Sequence, residues 1–179
     1  MQETTRFFIV PGLGNSGPNH WQTQFEQSSP AFTRIVQREW DAPDCQEWVA
    51  TLDLILAGED LSNVVLIAHS LGCVAVAHWA RQYGRVVKGA LLVAPSDVDT
   101  THYAAFPTIG FGPMPLQRLP FPSKLVASST DEWVTLARAQ QFATAWGSEF
   151  VNIGPAGHIN AASGHGSWPA GLKMLRGWS

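Results

Sequence analysis

The chain has 179 residues, 45% of them hydrophobic and 14% charged, with a formal net charge of -3. That length and apolar content predict a single folded domain over 1–179 with a substantial core, and exclude a disordered polymer. The slight acidity gives no electrostatic reason to expect nucleic acid or an anionic membrane surface as partner.

The two cysteines, Cys45 and Cys73, form no C-x-x-C pair and no His/Cys cluster, so neither a disulfide framework nor a structural zinc is expected. Cys73 reads as a small buried hydrophobe. The opening stretch from Met1 to Arg6 lacks a basic n-region, and the apolar run Phe7 to Val10 is too short for a signal sequence or a membrane span. The expected location is the cytoplasm.

Arg6 to Val10 predicts a first strand, which runs into Pro11-Gly12-Leu13-Gly14-Asn15-Ser16-Gly17-Pro18. No phosphate-loop pattern is present there and no lysine lies nearby. The loop reads either as a plain turn or as backbone N–H groups facing a developing oxyanion. A helix starts over His20 to Phe25, with Trp21 and Phe25 on one face, and ends at Ser28-Ser29-Pro30. Thr33 to Val36 predicts a second strand. Asp44 is placed to cap a helix whose apolar stripe is Trp48, Leu52, Ile55 and Leu56.

Val64 to Ile67 predicts a third strand, buried on both faces, followed by a helix that ends at Gly84. Val86 to Ala94 predicts a fourth, closing at Pro95-Ser96-Asp97. From Asp99 to Pro122 the pattern breaks, with Pro107, Pro113, Pro115, Pro120 and Pro122 among apolar residues. This segment reads as an ordered flap lining a substrate pocket, or as a meander that patches the core. Ser123 to Ser128 predicts a fifth strand, 135–146 a helix, Glu149 to Ile153 a sixth strand, and Pro169 the start of a last helix. Apolar strands alternating with helices imply right-handed crossovers and an α/β fold, a three-layer sandwich of about six parallel strands.

The chemistry is concentrated where strands end. Ala68-His69-Ser70-Leu71-Gly72 joins the third strand to its helix, the context of a G-x-S-x-G nucleophile elbow with alanine in the first position. The competing reading is an ordinary turn whose serine caps the helix. Asp131 follows the fifth strand and His158 the sixth, so the order is Ser…Asp…His, as α/β-hydrolases require. A serine hydroxyl attacks at neutral pH only if a base takes its proton. His158 is the candidate base and Asp131 the group that orients it. The N–H groups of Leu13 and Leu71 are the candidate oxyanion donors.

His165, less directly placed after the last strand, is the rival base; Asp97, which follows the fourth strand, is the rival acid and ranks below Asp131. His165 is expected to brace its loop beside Trp168, and His69 to pack within the elbow. His20, His78 and His102 lack metal-ligand spacing, and no metal or cofactor is expected. Candidates for the pocket wall are Asn15, His69, Phe111 and Trp133.

These residues resemble a small serine-hydrolase family that includes retinoblastoma-binding protein nine and a bacterial esterase-like branch. The likeness is carried by P-G-L-G-N-S at 11–16, H-W at 20–21, A-H-S-L-G at 68–72, L-P-F-P-S at 119–123, S-x-x-D at 128–131 and G-H-I-N-A-A-S-G-H-G-x-W-P at 157–169. It implies a compact α/β-hydrolase fold without a cap domain. It also implies a triad of Ser70, Asp131 and His158, and hydrolysis of small acyl esters. The expected activity is a cofactor-independent serine hydrolase (carboxylesterase-like) acting through an acyl-enzyme on short to medium acyl substrates. Amidase, peptidase and thioesterase activities stay open. The expected partner is a small acyl substrate, and no protein partner is indicated. A non-catalytic binding module on the same fold is the rival reading.

Overall fold

The short apolar runs pair into one parallel sheet in a computed structural model that describes residues 4–178. The opening residues 1–3, read above for targeting, lie outside that range. The strands are β1 (Arg6–Val10), β2 (Phe32–Arg34), β3 (Val64–His69), β4 (Gly89–Val93), β5 (Ser123–Ala127) and β6 (Glu149–Asn152), in the spatial order β2-β1-β3-β4-β5-β6. Among the described residues five α-helices connect and flank them: α1 (Trp21–Ser28), α2 (Cys45–Leu56), α3 (Leu71–Tyr83), α4 (Leu136–Trp146) and α5 (Pro169–Met174). No helix among the described residues is long and apolar enough to cross a membrane.

Strand alternation sorts the core into two layers. Phe8, Val10, Leu66, Ala68, Leu92 and Leu125 pack with α2, α3 and α4 through Trp48, Leu52, Trp79, Phe142 and Trp146. Phe7, Ile9, Val65, Ile67, Leu91 and Val126 pack on the other face, with Trp21 and Phe25 of α1 and with Trp168 and Leu175. Both faces of the sheet are therefore covered, which is why its central strands read as continuous apolar runs.

The expected strands are all present, with shifts at the margins. β2 lies one residue earlier and stops at Arg34, where its pairing with Ile9 ends, and Val36 is exposed. β4 begins only at Gly89, since Val86 points into solvent and the Lys88 N–H already donates to the carbonyls of Leu61 and Val64. Asp44 caps α2 as expected, accepting from the N–H groups of Gln46 and Glu47. The long 99–122 segment holds one short 3₁₀ turn, Tyr103–Ala105.

Chain order reverses between β1 and β3, the crevice where open α/β sheets place their ligands. There α3 starts very close to the end of β1. A Cβ on Gly72 would lie 2.3 Å from the Val10 carbonyl oxygen and 2.7 Å from that of Pro11. One on Gly12 would lie 2.9 Å from Ser70 Cβ. Glycine is required at both places because backbone, which cannot swing aside, occupies the space.

His20 caps α1 by accepting a hydrogen bond from the Gln22 N–H at Nδ1, 3.1 Å away. That role needs a neutral ring. Burial, with Arg34 adding repulsion, pushes its pKa down to about 4. Its ring meets that of His69 edge-on at 4.8 Å, and burial holds His69 well below the ordinary histidine range as well.

Three outcomes follow for stability. Gly72→Ala should lose about 3 kcal/mol in denaturant unfolding, from forced overpacking. Gly177→Ala, with nothing within 4 Å of its added Cβ, should stay within ~0.5 kcal/mol of wild type. A histidine whose folded pKa is lowered contributes stability above its unfolded value of 6.5 and loses it as pH falls toward about 4. Over that window wild type should lose about 3 kcal/mol more than His20→Asn, which keeps a cap but cannot titrate. Parallel curves would refute the buried neutral state.

Candidate active site

Ser70 sits at the junction of β3 and α3 with φ 57° and ψ -124°, a left-handed conformation that costs a non-glycine residue about 1–3 kcal/mol. Hydrogen bonds hold it there: its N–H donates to the Val93 carbonyl at 3.0 Å, and its own carbonyl accepts from the Cys73 N–H at 3.0 Å. Its hydroxyl makes no capping bond to α3, so the capping-serine reading does not describe this side chain. Instead Oγ lies 2.9 Å from His158 Nε2 and 2.8 Å from Ser96 Oγ. Ala68, the substituted first elbow position, is fully buried. Behind it Cys73 donates to the Val93 carbonyl, and burial pushes its thiol pKa well up.

His158 lies past β6, with Nδ1 2.9 and 3.0 Å from the two carboxylate oxygens of Asp131. The Asp131 side chain is fully covered, and Oδ1 also accepts from the Trp133 N–H at 2.9 Å. The loops after β5 and β6 are stitched together, since Ser128 Oγ accepts from the Ala156 N–H and Thr130 Oγ1 from the Gly157 N–H. Two core side chains then pin the histidine's own backbone. His69 Nε2–H donates to the His158 carbonyl at 2.9 Å, and Trp21 Nε1–H to the Ile159 carbonyl at 2.8 Å. Serine, histidine and carboxylate thus form one hydrogen-bonded row, the arrangement in which an imidazole can take a proton from a hydroxyl and hand it on.

The rival residues have other partners. Asp97 is held by Arg138, whose Nε and Nη2 donate to Oδ2 and Oδ1 at 2.8 and 2.9 Å. His165 Nδ1 lies 3.2 Å from Ser163 Oγ and its ring stands edge-on to Trp168, so it braces its loop. His78 donates to the Phe111 carbonyl at 2.7 Å, and His102 stacks on Trp133. Among the described residues no group of His, Cys, Asp and Glu could hold a metal ion.

A cavity of about 210 Å³ opens beside the row, lined by Leu13, Ser70, Ser96, Tyr103, Phe106, Trp133, His158 and Asn160. Trp133 is there as expected, but three candidates for the wall are not. Asn15 turns away, because its Oδ1 accepts from the Ser16 N–H and from Arg34 Nη1, tying the glycine loop to β2. His69 is walled off by the His158 backbone that it holds. Phe111 lies in the core, edge-on to Trp48 at 5.5 Å.

The 99–122 segment does both things expected of it. Tyr103 and Phe106 line the cavity, while Phe111, Met114, Leu119 and Phe121 are buried in the core. Ser96, Tyr103, Phe106 and Asn160 are wall residues that sequence reasoning missed. Ser96 alone carried a signal, its place at the end of the fourth strand. A larger depression of about 640 Å³ at Arg118–Pro122 and Gly147 shares no residue with this row.

Leu71 opens α3, so its N–H has no intrahelical acceptor. The Leu13 N–H makes no backbone hydrogen bond within its loop. The two segments lie close together, since a Cβ on Gly12 would be 3.1 Å from the Leu71 nitrogen.

Several known proteins are similar to this chain in fold. A protein from Pectobacterium atrosepticum, described as a YdeN-like hydrolase, is 36% identical; the match covers 98% of this chain and 90% of that one, with a TM-score of 0.84. The ydeN gene product of Bacillus subtilis matches over 98% of both chains at 17% identity and a TM-score of 0.80. Est816, an N-acyl homoserine lactone degrading enzyme, matches over 99% and 94% at 13% identity and a TM-score of 0.72. The last two similarities show the fold alone. Comparison with curated proteins finds no match. A family model described as serine hydrolase matches residues 7–177, and with that span the chain belongs to the serine hydrolase family, as an enzyme of the α/β-hydrolase fold.

Proposed function

We propose that the chain hydrolyses small carboxylic esters through an acyl-enzyme, with Ser70 as nucleophile, His158 as base and Asp131 as its orienting partner. The observation that carries this reading is the unbroken row from Ser70 Oγ through the His158 ring to Asp131, opening on an apolar cavity. A binding module has no use for such a row. The narrower likeness to retinoblastoma-binding protein nine and the bacterial esterase-like branch belongs to the same proposal.

His158 takes the Ser70 proton as Oγ attacks the acyl carbon, then gives it to the leaving group. Asp131 fixes the tautomer with Nδ1 protonated and balances the imidazolium that forms. The N–H groups of Leu13 and Leu71 receive the oxyanion; one such donor is worth about 3 kcal/mol of barrier. Water repeats the sequence on the acyl-enzyme. No metal or cofactor enters this scheme.

Leu13, Phe106 and Trp133 make the wall apolar, and about 210 Å³ is smaller than pockets that take drug-sized ligands. Both features support short acyl groups. A neighbouring cavity of about 260 Å³ also has Tyr103 and Phe106 in its wall, so these rings divide the two.

A fluorophosphonate should label wild type and leave Ser70→Ala unlabelled, with His158→Ala slower by on the order of a thousandfold or more. Strong labelling of His158→Ala would move the base to His165, and no labelling of folded wild type would favour a binding module. Acetyl and butyryl esters should turn over faster than palmitoyl esters. Phe106→Ala should join the two cavities and move the optimum to longer acyl chains; an unchanged optimum would show that the flap does not set chain length.

A further inference from the structure

The mechanism above leaves one polar group at the reacting atom without a task. Ser96 Oγ lies 2.8 Å from Ser70 Oγ, and that is its sole hydrogen-bond partner among the described residues. Ser96 is 2% exposed and lines the cavity. It reaches this place through a strained turn, since Ala94 has φ 49°, a conformation alanine rarely takes. The turn is anchored on both sides. The Ala94 N–H donates to the Val126 carbonyl, the Asp97 N–H to the Trp133 carbonyl, and Arg138 clamps the Asp97 carboxylate.

The direction of the contact follows from the inventory of protons. His158 Nδ1 faces two carboxylate oxygens, which only accept, so the ring proton is on Nδ1. In the base form that the proposed function requires, the ring then accepts at Nε2, and Ser70 donates its one proton there. Ser96 must therefore be the donor to Ser70 Oγ. Resting on the reading of Ser70 as nucleophile, we propose that Ser96 is a further catalytic residue, whose hydroxyl donates to Ser70 Oγ and stabilises the charge that this oxygen carries during acylation and deacylation.

In acylation the Oγ–C bond forms while the Ser70 proton passes to His158 Nε2 and the carbonyl electron pair moves onto its oxygen. The leaving group departs with that proton. In deacylation water bonds to the acyl carbon and gives a proton to His158; the C–Oγ bond breaks, and its electron pair returns to Oγ, which His158 reprotonates. In both transition states Oγ is more negative than a resting alcohol or an ester oxygen. Ser96 keeps its own proton throughout. A hydrogen bond to developing charge is stronger than one to a neutral oxygen, so the contact lowers both barriers.

The test measures fluorophosphonate labelling and the burst and steady-state hydrolysis of p-nitrophenyl acetate, with melting temperature as a check on folding. Ser96→Ala should label about tenfold more slowly and deacylate about tenfold more slowly. Ser96→Thr and Ser96→Val have the same shape and differ in the hydroxyl, so threonine should be about tenfold faster than valine. Equal rates for these two would assign any loss to packing and overturn the proposal. So would a Ser96→Ala rate equal to or above wild type. Ser70→Ala serves as the separate control: if it still labelled, the nucleophile reading would fall, whatever Ser96 did.

Discussion

The close approach of α3 to the end of β1 governs the site. Gly72 lies against the carbonyls of Val10 and Pro11, closer than any side chain allows. The chain must therefore leave β3, reverse within one residue and enter a helix with no room for a wider turn. Ser70 is the residue that takes this turn, and its left-handed backbone is the consequence. The same approach brings the glycine loop after β1 beside the start of α3, where the Leu71 N–H has no intrahelical acceptor. The position of Ser70 and the nearness of the glycine loop to it thus follow from a single packing contact.

Backbone strain collects around that contact. Among the described residues, the non-glycine positions with positive φ are Asn15, Ser70, Ala94 and Ile159. Ser70 carries the hydroxyl, Ala94 precedes Ser96 by two residues, and Ile159 follows His158. Each costs on the order of 1–3 kcal/mol and persists only where surrounding structure over-determines it. Here the surroundings are the buried strand ends, the Val93 and Val126 carbonyls, and the Trp21 and His69 side chains. A rigid sheet edge fixes these donors and acceptors, so the proposed reaction needs no reorganisation when charge develops. Buried, neutral His69 adds to this, because one fixed N–H holds the backbone of His158, the proposed base.

Much of this was legible in the chain. Continuous apolar runs placed the central strands, because a sheet covered on both faces accepts little else there. The margins of β2 and β4 were not legible: each strand stops where its neighbour stops pairing, and that is a property of the partner. The residues Ser70, Asp131 and His158 could be singled out because each lies on the segment that leaves a strand's carboxyl end, and in a parallel sheet those ends share one edge. Pocket walls have no such rule. Asn15 was claimed by Arg34, and Phe111 by Trp48, through contacts whose partners lie 19 and 63 positions away in the numbering. Tyr103 and Phe106 looked no different from Phe111 and Phe121 in an irregular segment, yet they lie on its other side.

The sequence by itself determined the fold class, the order of strands and helices, and the three side chains at the strand ends. Those depend on local pattern and on chain direction, which sequence carries. Only the tertiary structure decided which apolar residues of the flap face the cavity, and which histidines are packed and neutral. It also decided that a hydroxyl from the neighbouring strand end, Ser96, touches Ser70. Each of these is set by which side chain reaches a shared space first, and that competition is between residues far apart in the chain.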